Sequence, residues 1–514
     1  DLLLTPSLMS RQGFLMAAEF THRLPWGSYN ISASGLYQFD PAAYAGTVGN
    51  RDFRGAIQTS GEFRPADDWK VGWSYTAFSD AQYLSDYDFR KDDDLINEIY
   101  ATYVTTDLYL DARLRQYNLL GNVAAAQQGR QAMEIPRINA ASYHDLGDYG
   151  RIELSASVQG VRRELDSFST VNGTPYVFGY EQNKLHAPLE AAWQDQYILP
   201  AGLVATPYLG LRLDAGYFSR TGGPLSNPPY PTTPASTVSL LEATPIAAMD
   251  IRWPLVAVNG YDSHLFEPVA QLVYRGSSTT LTGITNDNAQ SFVFDDTLLF
   301  SYDRFSGTDR QETGLRANVG ARYVANFADG GWLNVVAGQS FHLAGPNALG
   351  VVDHAQTGNS SGLGTPASYV VAGANGSLGG PLAFGAKAAF DPNTLRVMRA
   401  AAAAKVTIFD VYDITTDYTY IAANAAVGTL ADQHEARVGV YGPLPFDYWY
   451  ADAGVAWDIA TNQWLEATGG LTYDDGYFVA GVFGKVTGPT HSSPNSQSFG
   501  IRLRLRGPDG EWGL

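Results

Sequence analysis

The chain has 514 residues, of which 45% are hydrophobic, 13% aromatic and only 17% charged, with 53 glycines, no cysteine and a formal net charge of −19. No stretch offers the roughly 18 apolar residues that a spanning helix needs, which excludes a helical membrane protein. The missing cysteines exclude a disulfide framework, a thiolate zinc site and a cysteine nucleophile, and the acidic balance argues against nucleic acid as a partner.

The first residues, Asp1-Leu2-Leu3-Leu4-Thr5-Pro6, have neither a basic n-region nor a long apolar core, so the chain reads as mature or as a fragment, with fragment preferred. Period-2 alternation then starts and recurs to the end, placing one set of side chains on each face of a strand. Tyr29, Ile31, Ala33 and Gly35 oppose Asn30, Ser32 and Ser34. The acidic run Asp92-Asp93-Asp94, with Glu98, lacks the spacing and glycine of an EF-hand and reads as a solvated turn. Leu108, Leu110, Ala112 and Leu114 then oppose Tyr109, Asp111, Arg113 and Arg115, and Ile152, Leu154, Ala156 and Val158 oppose Glu153, Ser155, Ser157 and Gln159. In Tyr208–Gly216, Leu209, Leu211, Leu213 and Ala215 oppose Gly210, Arg212, Asp214 and Gly216. Ser219–Thr237 contains Pro224, Pro228, Pro229, Pro231 and Pro234, too many missing amide donors for a sheet, and is expected to be an external loop. Ala355–Ala386 is uncharged and rich in Gly and Ser; its first half reads as loop, with strand resuming around Tyr369–Ala374. Arg399–Lys405 is Ala-rich but too short to stand as a helix. Leu465, Ala467, Gly469, Leu471 and Tyr473 oppose Glu466, Thr468, Gly470 and Thr472, and Phe499–Arg506 is the expected last strand.

Alternation alone also fits a soluble sandwich. Strands of roughly 9–12 residues with small apolar residues and aromatic ends are instead what a bilayer requires, about twice the soluble average. The expected fold is therefore all-β, a large transmembrane antiparallel β-barrel of outer-membrane type. One domain over residues 1–514, at roughly 20 residues per strand and connection, gives about 24–26 strands. No catalytic constellation has convincing spacing: the eight histidines are scattered, His342 and His354 being the nearest pair, and they read as interfacial or loop residues. The chain is expected to be no enzyme and to use neither cofactor nor metal.

One stretch is more specific. His264-Leu265-Phe266-Glu267-Pro268 leads into an alternating strand, followed by Asn286-Asp287-Asn288 and Phe294-Asp295-Asp296-Thr297-Leu298-Leu299-Phe300. Then comes Asp303-Arg304-Phe305-Ser306-Gly307-Thr308-Asp309-Arg310, and Gly338-Gln339 follows two strands later. This order resembles the barrel of the LPS-assembly protein LptD family, also called organic solvent tolerance protein, whose signature reads NRFSGxDR; Asp303 stands where Asn is common. Ser10-Arg11-Gln12-Gly13, Gly27-Ser28-Tyr29-Asn30-Ile31, Arg51-Asp52-Phe53-Arg54-Gly55, Trp69 and Gly72-Trp73 resemble alphaproteobacterial members. Glu267, Pro268, Asp295, Arg304, Phe305, Gly307, Asp309, Arg310 and Gln339 are the signature residues. Arg304, Asp309 and Arg310 are read as a lumen-facing charge network that fixes register near a strand end, with direct contact to lipid phosphate as the other reading.

The resemblance implies transport of lipopolysaccharide to the outer leaflet of a Gram-negative outer membrane, sugars crossing a polar lumen and acyl chains leaving through a lateral gate. It implies three kinds of partner: lipopolysaccharide, an LptE-like plug lipoprotein, and periplasmic Lpt bridge proteins that dock on an N-terminal jellyroll. That jellyroll and the first two barrel strands are expected to be absent from this chain, with Pro6 matching a later strand's proline. The cysteine pair of enterobacterial relatives is replaced by Tyr473-Asp474-Asp475-Gly476-Tyr477, so disulfide-controlled maturation is excluded. A porin-like channel or a polysaccharide exporter is the alternative, sharing the alternation but not predicting the signature.

Overall fold

A computed structural model describes residues 1–87, 89–90, 92–219, 237–276, 285–351, 355–488, 496–507 and 510–513. The loop expected over Ser219–Thr237 lies almost wholly outside these residues, as does His354. Strand dominates, and no described helix is long and apolar enough to cross a membrane. The main sheet has 27 segments. Tyr197–Ile198 and Leu255–Asn259 continue the strands before them, in the same register, across two-residue breaks. The breaks face Pro207 in one case and contain Pro254 opposite Glu267-Pro268 in the other, where proline withholds the ladder's amide donor. Gly510–Gly513 is a short return along Arg504–Gly507, which corrects the expectation that Phe499–Arg506 ends the sheet. With these three set apart, 24 long strands remain among the described residues, from Leu2–Met9 with 8 residues to Val204–Ser219 and Thr237–Arg252 with 16.

Long strands that follow one another in the chain pair antiparallel, so the sheet is one meander. Strand resumes at Val370–Ser377, where the uncharged stretch was expected to return to the sheet, and the Ala-rich run lies inside the strand Val397–Ile408. Most connections alternate in length, residues 10–12 and 459–462 being short exceptions at the long-connection end. Residues 25–26, 64–68, 105–107, 327–331 and 409–411 are tight turns at one end, while 38–52, 79–93, 120–132, 164–181, 276–313 and 345–369 are long connections at the other. This is the asymmetry of outer-membrane barrels, with long loops outside the cell and short turns facing the periplasm.

The two faces carry chemistry opposite to that of a soluble protein. Along Val204–Ser219, Leu209 is 56% exposed and Leu211 46%, while Arg212 and Asp214 are buried. Along Gln182–Gln194, Leu185 and Leu189 are exposed and Lys184 and His186 are buried. Water would drive the leucines inward at about 25 cal/mol per Å²; lipid removes that force and leaves the charges to gather around the lumen. Trp26, Trp69, Tyr143, Tyr149, Trp253 and Tyr261 are exposed at the short-turn end, where they form an aromatic girdle.

One element stands outside the meander. The hairpin of Ser167–Val171 and Thr174–Gly179 crosses the mouth at the long-connection end and meets the connection 422–432. Asn172 Nδ2 donates to the Gly428 carbonyl at 2.7 Å, and the Tyr176 hydroxyl donates to the Val427 carbonyl at 2.6 Å. Gly428 is required there: its φ is +74°, and a Cβ would collide with the Val171 carbonyl.

Candidate functional site

The connection between the strands Asp262–Arg275 and Gly314–Asn326 does not leave the barrel. Residues 285–313, which hold most of the signature, carry no strand and fold back into the lumen. They touch the wall from Arg163 round to Lys387. Three side-chain clusters and one apolar core hold them.

The first cluster centres on Asp309. Lys184 Nζ is paired with Asp309 and lies 3.1 Å from Asp287 Oδ2. Arg163 Nη1 reaches Asp287 Oδ1 at 2.9 Å. His186 stands between two carboxylates, with Nδ1 3.0 Å from Asp309 Oδ1 and Nε2 2.9 Å from Asp214 Oδ1. An imidazolium donates to both; a neutral ring turns one lone pair toward a carboxylate. Arg212 fastens Asp214 through Nε at 2.9 Å and Nη2 at 2.7 Å, and donates to the Thr308 carbonyl at 2.6 Å. Asp309 Oδ2 also accepts the backbone amides of Asp287 at 2.9 Å and Asn288 at 3.2 Å, closing the segment on itself. Gly307 permits that closure, because any Cβ there would overlap the Asn288 carbonyl.

The second cluster centres on Arg304, whose side chain is fully buried. Its guanidinium donates to the carbonyls of Leu298 and Leu299 at 3.0 Å each, to Glu312 Oε1 at 3.0 Å, to Asn318 Oδ1 at 2.7 Å and to Ser340 Oγ at 3.1 Å. Two backbone and three side-chain acceptors use its planar fork. Arg316 adds a 3.0 Å pair with Glu312 and bonds to the carbonyls of Ser301 and Tyr302. The third cluster is Arg275, which faces Asp303 at 3.7 Å and Glu190 at 3.4 Å. Phe294 and Leu299 pack with Leu349, Leu363, Val371 and Ala389, and Phe292, Leu298 and Phe305 lie against them. The apolar half of the signature thus joins this segment to the connection 345–369.

The remaining signature residues are peripheral. Asp295 binds Lys387 Nζ at 2.8 Å and accepts from the Thr297 amide and hydroxyl. Arg310 Nη1 donates to the Asp309 carbonyl at 3.1 Å. Glu267 lies 3.6 Å from Arg252, Pro268 sits at the ladder break, and Gln339 Nε2 donates to the Ser368 carbonyl at 2.8 Å. Arg304 and Asp309 therefore organise separate clusters, and the side-chain partners of Asp309, Lys184 and His186, are residues that the sequence alone did not single out. His186 is a buried lumen residue, which corrects its placement among interfacial and loop histidines. The signal for it was available: Gln182, Lys184, His186 and Glu190 alternate with Leu185, Ala187, Leu189 and Ala191.

Electrostatics follow from this geometry. Burial alone would raise the Asp309 carboxyl, but Lys184 and then His186 outweigh it and hold Asp309 well below the usual carboxylate range. For Asp287, burial is likewise outweighed by Lys184 and Arg163, against an upward push from Asp309. Asp303 goes the other way, burial raising it more than Arg275 lowers it. Depressed folded values mean that the contribution of Asp287 and Asp309 is complete above the unfolded value of about 3.9 and is lost as pH falls through the folded ones. Protection of the amides in residues 285–313, relative to the intrinsic exchange rate at each pH, is therefore expected to hold from pH 7 down to about pH 4 and to fall below it. Protection already lost between pH 7 and 5 would contradict the assignment. Among the described residues no group of three or more His, Asp or Glu is placed to hold a metal ion.

Apolar strands turned outward, ion clusters turned inward and one connection folded into the lumen define an outer-membrane β-barrel that carries part of its own plug. The family model for LptD, LPS transport system D, matches residues 52–446. The chain belongs to the LptD family, whose business is lipopolysaccharide transport at the outer membrane. No curated protein matches it at a significant level. Solved structures with a similar course include a mutant of the ferric enterobactin receptor PfeA from Pseudomonas aeruginosa, with 10% identity, 98% of this chain and 79% of that chain covered, and a TM-score of 0.38. The copper transporter OprC has 12% identity, 98% and 71% coverage and a TM-score of 0.31. The alcaligin receptor FauA from Bordetella pertussis has 10% identity, 98% and 74% coverage and a TM-score of 0.33. Overlaps this loose bear on no functional point.

Proposed function

We propose that this barrel inserts lipopolysaccharide into the outer leaflet of a Gram-negative outer membrane without chemical turnover. The observation that carries this reading is the family match across most of the chain, and the inward-folded signature segment supports it. Sugars and phosphates cross the polar lumen beside the segment 285–313. Acyl chains leave sideways, because each methylene kept out of water is worth about 0.8 kcal/mol. Beyond Lys387 the inward face of the wall carries Ala401, Ala403, Gly439 and Gly454 among charged residues such as Arg437 and Asp452, and an LptE-like plug lipoprotein is the partner expected against it. Periplasmic Lpt bridge proteins deliver the cargo to the barrel. Arg304 and Asp309 are structural groups here, since their donors and acceptors are taken up by the protein itself.

Depletion of the protein in its own bacterium tests the reading. Newly made lipopolysaccharide is expected to accumulate inside the cell while surface labelling falls. Unchanged surface lipopolysaccharide would leave the porin-like or exporter alternative standing.

A further inference from the structure

Below the inward-folded segment, at the short-turn end of the lumen, lies a cavity of about 540 Å³. Its wall is formed by Gln194, Thr206, Asp250, Arg252, Glu267 and Gln271 from four successive long strands, and its roof by Phe300 and Tyr302 of the segment. The volume lies within the roughly 300–1,000 Å³ of small-molecule sites. The roof is rigid: the Tyr302 ring packs at a tilt against Tyr208 with centroids 4.5 Å apart, the Tyr302 carbonyl is held by Arg316 at 2.6 Å, and Gln271 Nε2 holds the Phe300 carbonyl at 2.8 Å.

Part of the lining is committed and part is not. Arg252 is fastened to Asp250 through Nε at 2.7 Å and Nη2 at 3.3 Å, which leaves Nη1 facing Glu267 at 3.6 Å, beyond hydrogen-bond reach. Among the described residues the Glu267 carboxylate accepts no hydrogen bond, and neither does the Tyr302 hydroxyl have a partner. The cavity therefore offers a carboxylate acceptor, a guanidinium donor, a phenol of both kinds and an aromatic face within one rigid frame. A phosphate needs donors and would meet Asp250 and Glu267 as like charges. An apolar ligand would leave the same groups unsatisfied. A sugar ring matches on every count: each hydroxyl both donates and accepts, planar carboxylate and guanidinium groups bridge neighbouring hydroxyls, and the C–H face of the ring packs on an aromatic.

We propose that this cavity is a saccharide subsite, taking uncharged sugar residues of the transported glycan as they enter from the short-turn end. The assignment rests on the reading of lipopolysaccharide as cargo and names which part of it the lumen recognises. It gives Glu267 of the signature a ligand role in place of a purely structural one.

The test uses the full chain folded in detergent micelles, with dephosphorylated core oligosaccharide freed of lipid A as the probe, followed by saturation-transfer NMR. Transfer to ring protons is expected for the unaltered barrel and is expected to fall about tenfold in Glu267→Ala and in Tyr302→Ala, with Tyr302→Phe intermediate. Retention of the heat-modifiable folded band by each variant separates lost binding from lost folding; where Tyr302→Ala does not fold, Glu267→Ala and Tyr302→Phe decide. Equal transfer in all variants overturns the subsite. So does absence of transfer together with photo-crosslinking of residue 302 to a co-purified protein, which would make the cavity a partner's seat. Specific sugar binding in a strain whose surface lipopolysaccharide is indifferent to depletion would keep the subsite and overturn only the cargo reading.

Discussion

Lys184→Met is expected to free the signature segment from the wall. The substitution keeps length and apolar stem but removes the one cation that, among the described residues, touches both Asp287 and Asp309, leaving Asp287 with Arg163 and Asp309 with His186. Removing one partner of a buried pair costs about 3–5 kcal/mol, because the charge left behind has no water to return to. The expected result is a folded band that unfolds at lower urea, with new proteolytic cuts within 285–313. Adding Asp309→Asn to Lys184→Met should restore part of the loss, since the second change removes the uncompensated charge, and the double variant should be more stable than the sum of the single effects allows. Strict additivity would mean that Lys184 and Asp309 do not stabilise one another.

Arg304→Met is the second large effect. It takes donors from five acceptors at once, two of them backbone carbonyls that no other described side chain reaches. A loss of about 3–5 kcal/mol is expected, read as the same shift in urea midpoint and as weaker barrel assembly in outer-membrane fractions. Arg304→Lys separates charge from geometry: a point charge can keep Glu312 but not the fork that spans Leu298, Leu299, Asn318 and Ser340. Recovery of less than half of the loss is expected; full recovery would show that charge alone holds the turn.

These two positions show how differently a site can be read from its chain. Arg304 belongs to a run of recognisable wording, and four of its five acceptors lie within 14 residues of it. Asp309 belongs to the same run, but its cation is 125 positions away on a strand whose alternation was as plain as that of its neighbours. Period 2 tells that Lys184 and His186 share a face; it carries no label saying that this face meets residue 309. The expectation of a charge network through Arg304, Asp309 and Arg310 came from the need of lumen-facing charges for partners, a need that does not say which wall each one meets. A compact turn can send successive side chains to different walls, and this one sends Asp309 to Lys184 and Arg304 to Asn318 and Ser340.

By itself the sequence determined the all-β class, the long antiparallel strands, the lipid as their solvent and the family, because alternation, aromatic content, absence of long apolar runs and ordered wording are local properties of the chain. Only the tertiary structure decided that the signature connection turns inward and that the hairpin of Ser167–Val171 and Thr174–Gly179 bridges the mouth to Gly428, 256 residues on from Asn172. It likewise decided that Glu267 and Tyr302 share one cavity. Those outcomes depend on curling the sheet around a lumen, where buried charges must find partners wherever the wall brings them, and closure of a sheet is a property of all its strands together.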